Sequence, residues 1–333
     1  MKHIIKRISV IGDGSWGTTL AVYLARKGFD VALWGPFEDY LRQVQATRIN
    51  SKFLPDIEIP ESVSMTHDLT TALHQTDLVV LALPSKYIMR ILKKIAREDI
   101  GRKVFLSVIK GIEYKTLTCM SQVIKRELGK VPLAVLSGPT IAREVALGIP
   151  SSAVIASEDP RLAQKLQDVF NSDRFRIYTN SDVIGLELGG SLKNIIAIAC
   201  GVCDGLGFGT NAKAAILSRG LAEIARLGHA MGARADTFAG LAGLGDLVTT
   251  CISSQSRNRY VGEQLGRGES ITSILNSMDM VAEGVETVRA AVRLSKRYKI
   301  SMPITTEVYR IIYQKKKPQN AVQALMTRKV KSE

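Results

Sequence analysis

Short runs rich in valine, isoleucine and leucine recur along the first half of the chain: ISVIG (8–12), VALWG (31–35), LVVLALP (78–84), VFLSVIK (104–110), LAVLSGP (133–139), SAVIAS (152–157) and FRIYT (175–179). They are almost continuously apolar rather than alternating, and most are separated by segments long enough for a helix. That pattern predicts a mostly parallel sheet covered on both faces by helices, a doubly wound α/β arrangement. From about Asp182 the β-branched runs stop and long Ala/Leu/Gly stretches begin, as in IGLELGGSLKNIIAIACGV and KAAILSRGLAEIARLGHAMG. In the second stretch Ala214, Leu217, Leu221, Ile224 and Leu227 or Gly228 recur every three to four residues, the period of a helix. The expectation is an α/β domain over residues 1–187 and an all-α domain over 188–333. No internal repeat is visible, and KFLPDIEIP (52–60) reads as a loop punctuated by proline.

The first apolar run passes straight into Gly12-x-Gly14-x-x-Gly17, and an amphipathic run follows. In such a turn the first glycine permits the tight bend, the second lets a pyrophosphate approach the backbone and the third packs helix on strand. Free N–H groups and the helix dipole then favour an anion. The motif predicts a dinucleotide site of Rossmann type. The usual discriminator between dinucleotides is the tip of the second strand, here Trp34-Gly35-Pro36-Phe37, which offers neither an acid for a ribose 2′-hydroxyl nor a base for a 2′-phosphate. Glu38, Asp39 and Arg42 follow a few residues later.

Ligands of open α/β sheets lie outside the carboxyl ends of the strands. Two polar clusters fall there, Lys110-Gly111 and Gly138-Pro139-Thr140, each of which also reads as an ordinary surface turn. In the second half, Lys193 stands at the front of the apolar run IIAIAC. A lysine so placed either snorkels to solvent or, if desolvated, becomes a usable base near neutral pH, as hydride chemistry on an alcohol requires. Asp246 follows the glycine-rich GLAGLG, and Ser256, Arg257, Asn258 and Arg259 are consecutive. An arginine beside amide and hydroxyl donors suits bidentate binding of phosphate or carboxylate, the alternative being a solvated polar loop.

Charge and composition narrow the partners. The 45 lysines and arginines against 31 acids give a formal charge of +14, which concentrates anions of any kind. The basic residues are dispersed, with short clusters only at Lys315–Lys317 and in the terminal RKVK, so a phosphorylated or nucleotide ligand is expected rather than nucleic acid. No uninterrupted apolar stretch of membrane-spanning length was found, and MKHIIKRISVIG reads as a strand rather than a leader, so no stable membrane insertion is expected. Four cysteines form no disulfide framework and point to a cytoplasmic protein. Cys200-x-x-Cys203 lacks a second pair to complete a metal site and reads as buried thiols; no metal is expected. His3, His67, His74 and His229 are isolated, and the Asp-Gly pairs at 13–14 and 204–205 read as turns. A glycine-rich apolar surface hints at a homodimer.

Taken in order, GDGSWGTTLA, LPS, KGIE, SGPT, LGGSLKNIIAIACG, DGLGFGTNAKAAILSRGLAE, AGLGDLVTTC, QSRNRY, VAEGVETV and MPIT resemble the bacterial NAD(P)-dependent sn-glycerol-3-phosphate dehydrogenases over nearly the whole chain. The resemblance implies a Rossmann-type N-terminal domain and a helical substrate domain. It implies interconversion of sn-glycerol 3-phosphate and dihydroxyacetone phosphate with NAD(H) or NADP(H), supplying glycerol phosphate for phospholipid synthesis. By the same resemblance Lys193 matches the general acid/base and Asp246 the aspartate that supports both that lysine and the substrate, so both are expected to contact the substrate. Lys110 matches a contact to both substrate and cofactor and is expected, with Lys193 and Asp246, among the catalytic residues. Gly138, Thr140, Ser256, Arg257 and Asn258 match substrate contacts, with Arg257 as phosphate clamp and also near the cofactor. Gly12, Gly14, Ser15, Trp16, Gly17, Ala142, Val281 and Glu283 match cofactor positions. Pro36 departs from the His or Arg that bacterial members often carry there, which leaves the choice between NADH and NADPH open. Two other readings of the residues remain: a related reductase whose Arg257 and Asn258 bind a carboxylate, and a basic dinucleotide-sensing protein without turnover.

Overall fold

The computed structural model describes residues 4–330. Its strands are β1 Arg7–Ile11, β2 Asp30–Trp34, β3 Ile49–Asn50, β4 Leu54–Glu58, β5 Val63–Thr66, β6 Leu78–Leu81, β7 Val104–Ser107, β8 Leu133–Ser137, β9 Ser151–Ala156 and β10 Phe175–Asn180. Eight of them form one sheet in the order β10, β9, β8, β7, β6, β1, β2, β5. All neighbours are parallel except the antiparallel pair β8 and β9. Each of the seven apolar runs became a strand of this sheet. Ile8, Val10, Leu78 and Val80 pack into one core, whereas Ile11, Val79, Leu81 and Phe105 pack into another. A strand buried on both faces has no polar face to show, which explains the unbroken apolar runs.

The order reverses between β1 and β6, so β1 delivers the glycine turn to the switch point of the sheet. Three strands differ from the sequence expectation. The segment read as a loop at 52–60 forms β4, antiparallel to β3, and β5 adds an edge strand beside β2.

The chain divides into two compact units, one built from the residues up to Lys110 with Thr118–Leu186, the other from Gly111–Leu117 and everything from Glu187 onward. A single cut at 187/188 does not anticipate the excursion at 111–117. Within the second unit that excursion is clamped: the Arg289 and Arg293 guanidinium carbons lie 4.3 and 4.8 Å from the centroid of the Tyr114 ring, and Arg293 Nη1 donates to Tyr114 O at 2.8 Å.

The helix Val183–Gly205 is the axis of the second unit. On length and mean apolarity alone it would pass for a membrane span, although Glu187 and Lys193 interrupt it, and its most apolar window is 94% buried inside the chain. Asp204, expected in a turn, sits in its last helical turn and binds Arg259 Nε at 2.7 Å and Lys213 Nζ at 2.5 Å. A second helix, Arg257–Gly266, packs against it at backbone distance. A Cβ on Gly201 would lie 1.9 Å from Arg259 O, one on Gly262 2.0 Å from Ile198 O, and one on Gly266 2.6 Å from Val202 O.

The helix Thr210–Ala230 buries Gly220, Glu223, Ile224, Leu227 and Gly228, but the N-terminal part of its expected stripe stays outside the core, with Ala214 exposed and Leu217 and Leu221 half-buried. Buried Glu223 accepts from Ile304 N, Thr305 N and Thr305 Oγ1 at 2.6, 3.1 and 3.0 Å. It thereby caps the first turn of the helix Pro303–Gln314 from a distance in sequence.

The glycine contact can be tested by adding one carbon. Gly262→Ala should lose about 2 kcal/mol or more in urea denaturation, because its neighbour is backbone and cannot rotate away. Gly209→Ala, whose added carbon meets nothing within 4 Å, should stay within about 0.5 kcal/mol of wild type.

Candidate active site

In the first unit, β1 ends at Ile11 and the helix Ser15–Arg26 begins three residues later. Gly12 takes φ +125°, open only to glycine, and a Cβ on Gly17 would strike Gly12 O at 1.8 Å. A Cβ on Gly14 would meet nothing within 4 Å, so the turn leaves open space over the helix N-terminus, whose first turn carries no acid. Ser15 and Trp16 sit half-buried at that terminus. The three glycines thus divide into turn, open cradle and close packing, and the cradle fits the pyrophosphate of a dinucleotide. Asn50, on the unexpected β3, pins the turn: its Nδ2 donates to Asp13 O and Thr18 Oγ1, both at 2.8 Å.

Beyond the ends of β7 and β8, Lys110 Nζ donates to Gly138 O at 3.4 Å, and Thr140 Oγ1 donates to the same carbonyl at 3.2 Å. One carbonyl thus gathers the three residues expected from separate loops. Ala142 opens the next short helix, and its carbonyl accepts from Thr19 Oγ1 at 3.1 Å, which ties it to the helix of the glycine turn.

In the second unit Lys193 and Asp246 meet, 5% and 1% exposed. Lys193 Nζ donates to Asp246 Oδ1 and, at 2.5 Å, to Thr250 Oγ1, while Thr250 Oγ1 donates to Asp246 O at 2.7 Å. Lys193 therefore does not snorkel. A π-helical turn, Leu241–Gly245, places Asp246 at the front of the helix Asp246–Ile252, so Thr250 lies one turn behind it on the same face. The sequence reading missed Thr250; its spacing of four from Asp246 was the available signal.

Ser256 caps the helix Arg257–Gly266 by accepting from Arg259 N at 3.2 Å. Asn258 is engaged at both ends, donating to Asn194 Oδ1 at 3.0 Å and accepting from Gly284 N at 2.9 Å. Asn194, adjacent to Lys193, was also missed. Arg257 is tethered by Nη1 to Val281 O at 2.9 Å; desolvation lowers its guanidinium from the usual arginine range, and the charge of Glu283 acts against that shift. Arg259 turns instead to Asp204 and leaves the anion-binding run.

All four cysteines are free and buried, and burial pushes the Cys203 thiol up to about 11. Among the described residues no group of three or more His, Cys, Asp or Glu could hold a metal. His3 lies outside the described residues.

A dinucleotide cradle at the switch point of a doubly wound sheet, followed by a helical unit carrying a buried lysine–carboxylate pair, defines the class of Rossmann-type dehydrogenases. Family models resolve the class further: residues 7–163 match the N-terminal and 182–323 the C-terminal part of NAD-dependent glycerol-3-phosphate dehydrogenase. The chain belongs to that family. It is 48% identical over 332 residues to glycerol-3-phosphate dehydrogenase [NAD(P)+] of Geobacter sulfurreducens, covering 98% of this chain and 99% of that one. It is 48% identical to that of Bacillus pumilus, covering 97% and 95%. The crystal structure of glycerol-3-phosphate dehydrogenase from Coxiella burnetii superposes with a TM-score of 0.94 at 38% identity, covering 97% of this chain and 99% of that one. A ketopantoate reductase from Ralstonia eutropha, at 16% identity and a TM-score of 0.62, shares the fold.

Asp13, inside the glycine turn, is 7% exposed, and burial raises its carboxyl from 3.8 to about 6. Well below pH 3.8 the group is protonated whether the chain is folded or not. Between pH 4 and 6 the unfolded chain ionises first and the fold loses stability, a loss complete above pH 6 at about 2–3 kcal/mol. Asp13→Asn should therefore be more stable than wild type by roughly 2 kcal/mol at pH 8 and close to it at pH 4, as read by denaturant titration without cofactor.

Proposed function

We propose that this protein interconverts sn-glycerol 3-phosphate and dihydroxyacetone phosphate with NAD(H) or NADP(H), running mainly as the reductase that supplies glycerol phosphate for phospholipid synthesis. The observation that carries the reading is the buried contact of Lys193 with Asp246 and Thr250. When bound, the nicotinamide supplies the hydride that reaches C2 of the ketone. As the carbonyl π bond opens, its electron pair moves to the C2 oxygen, and Lys193 Nζ gives that oxygen a proton. Asp246 holds the ammonium and Thr250 fixes its direction, so little reorganisation is needed as charge develops.

Arg257 takes the substrate phosphate with its free guanidinium edge, held steady by Val281 O, while Asn258 retains one N–H for the ligand beyond the one given to Asn194. Ser256 contributes a hydroxyl whose oxygen already caps the helix. Lys110, Gly138 and Thr140 are proposed as substrate contacts, with Lys110 also touching the cofactor. Gly12, Gly14, Ser15, Trp16, Gly17, Ala142, Val281 and Glu283 are proposed for the cofactor. The first unit then carries most of the positions proposed for the dinucleotide together with Lys110, Gly138 and Thr140, and the second carries the proposed proton donor and phosphate clamp together with Val281 and Glu283. A cytoplasmic homodimer completes the proposal, to be tested by light scattering against the chain mass of 36.4 kDa.

Oxidation of NADH and of NADPH at 340 nm with dihydroxyacetone phosphate tests the reaction. Wild type should turn over dihydroxyacetone phosphate and leave ketopantoate untouched; inactivity with both coenzymes overturns the substrate. Lys193→Ala should lose about 10²-fold or more in kcat, the scale of general acid catalysis. Full activity in that variant would move the proton transfer to another residue. Arg257→Ala should raise KM for dihydroxyacetone phosphate about tenfold or more while a phosphate-free ketone loses nothing further, since a charge-assisted fork contributes roughly 1.5–3 kcal/mol.

A further inference from the structure

In many dinucleotide-binding sheets the end of the second strand carries an acid that takes the adenosine ribose hydroxyls and rejects a 2′-phosphate. Here that end is Trp34-Gly35-Pro36, with no acid and no base. A carboxylate nevertheless reaches the place from the neighbouring turn. Gly12 N donates to Trp34 O at 2.9 Å, which ties the turn to the tip of β2. The Asp13 side chain then lies directly against Gly35: a Cβ on Gly35 would sit 2.3 Å from Asp13 Oδ2 and 3.1 Å from Asp13 Cβ. Gly35 takes no left-handed φ, so its lack of a side chain is needed for this contact rather than for the backbone.

Asp13 Oδ2 is buried and has no hydrogen-bond partner. Nearly all buried polar atoms are satisfied, and one that is not calls for an explanation. With no donor on that oxygen, burial outweighs the one compensating contact of the carboxyl, a hydrogen bond from its own backbone N–H. The His67 imidazole at this corner faces Glu38 at 3.4 Å, and the tip residues themselves add no cation. Pro36 and Phe37 carry none, Glu38 and Asp39 bring two further acids to the first turn of the next helix, and Arg42 spends its guanidinium on Glu38. A 2′-phosphate brought to this corner would meet like charge without a counterion, whereas a ribose diol would meet an acceptor field.

We infer that Asp13, packed against Gly35, is the specificity-determining residue for the coenzyme, selecting NADH over NADPH by opposing the 2′-phosphate. The inference rests on the reading of the glycine turn as the dinucleotide site. At pH 8 the carboxylate is ionised, and the selection operates at full strength.

Calorimetric binding of NADH and of NADPH at pH 8, without substrate, tests this in wild type, Asp13→Asn and Asp13→Ala. Wild type should bind NADH at least about tenfold more tightly, the scale of one unrelieved like-charge contact, and both variants should shrink that ratio about fivefold or more. Asn preserves shape and removes only charge, and it relieves a buried ion, so the variant is expected to fold. A wild-type ratio near one, or a ratio unchanged in both variants, overturns the role of Asp13 while leaving the site intact. Failure of wild type to bind either coenzyme overturns the dinucleotide site and the inference together.

Discussion

Backbone contact between two helices sets the geometry of the second unit. Where Gly201, Gly262 and Gly266 remove side chains, the helices Val183–Gly205 and Arg257–Gly266 approach until backbone meets backbone. The contacts keep a constant register: Asn194 faces Asn258, Ile198 faces Gly262 and Val202 faces Gly266, each pair 64 residues apart. One helix carries Lys193 immediately before Asn194, and the other carries Arg257 immediately before Asn258. Glycine packing therefore fixes the spacing of Lys193 and Arg257, the residues proposed as proton donor and anion clamp. A shift of about 1 Å in such a frame is enough to lower a rate severely.

The pair held by that frame is not there for stability. Burying two charges costs more than their attraction returns unless further bonds satisfy them, and apolar replacements of buried pairs are often neutral or stabilising. Thr250 supplies one such bond to Lys193 and returns its own proton to Asp246 O. The triad is a charged device kept inside an apolar unit, and Asp13 is the corresponding exception in the first unit. Each is a buried charge where packing alone would place a hydrophobic side chain, and each lies at a position proposed for chemistry or coenzyme choice.

Much of this was legible in the chain. The seven long strands announced themselves because burial on both faces forbids polar residues, and the glycine turn because its three glycines have three different steric duties. What escaped was carried by other signals. VSMT at β5 lies on an edge with half-exposed positions, and LPDIE at β4 contains a proline, so neither has the apolar density of a central strand. Thr250 and Asn194 act through contacts 57 and 64 residues away in sequence, and the only local mark on either is the spacing of four between Asp246 and Thr250. The stripe on Thr210–Ala230 had a helical period, but periodicity does not say how far along the helix the core extends.

The second unit is not one continuous stretch of polypeptide. Tyr114, which follows closely on β7, finds its partners Arg289 and Arg293 almost 180 residues later, with Arg293 at a separation of 179. On the ribosome the strap Gly111–Leu117 therefore emerges long before the groups that hold it exist. The strap must wait for an anchor that has not yet been synthesised, and the helix Glu283–Arg297 completes the second unit by taking up a segment made much earlier in the chain.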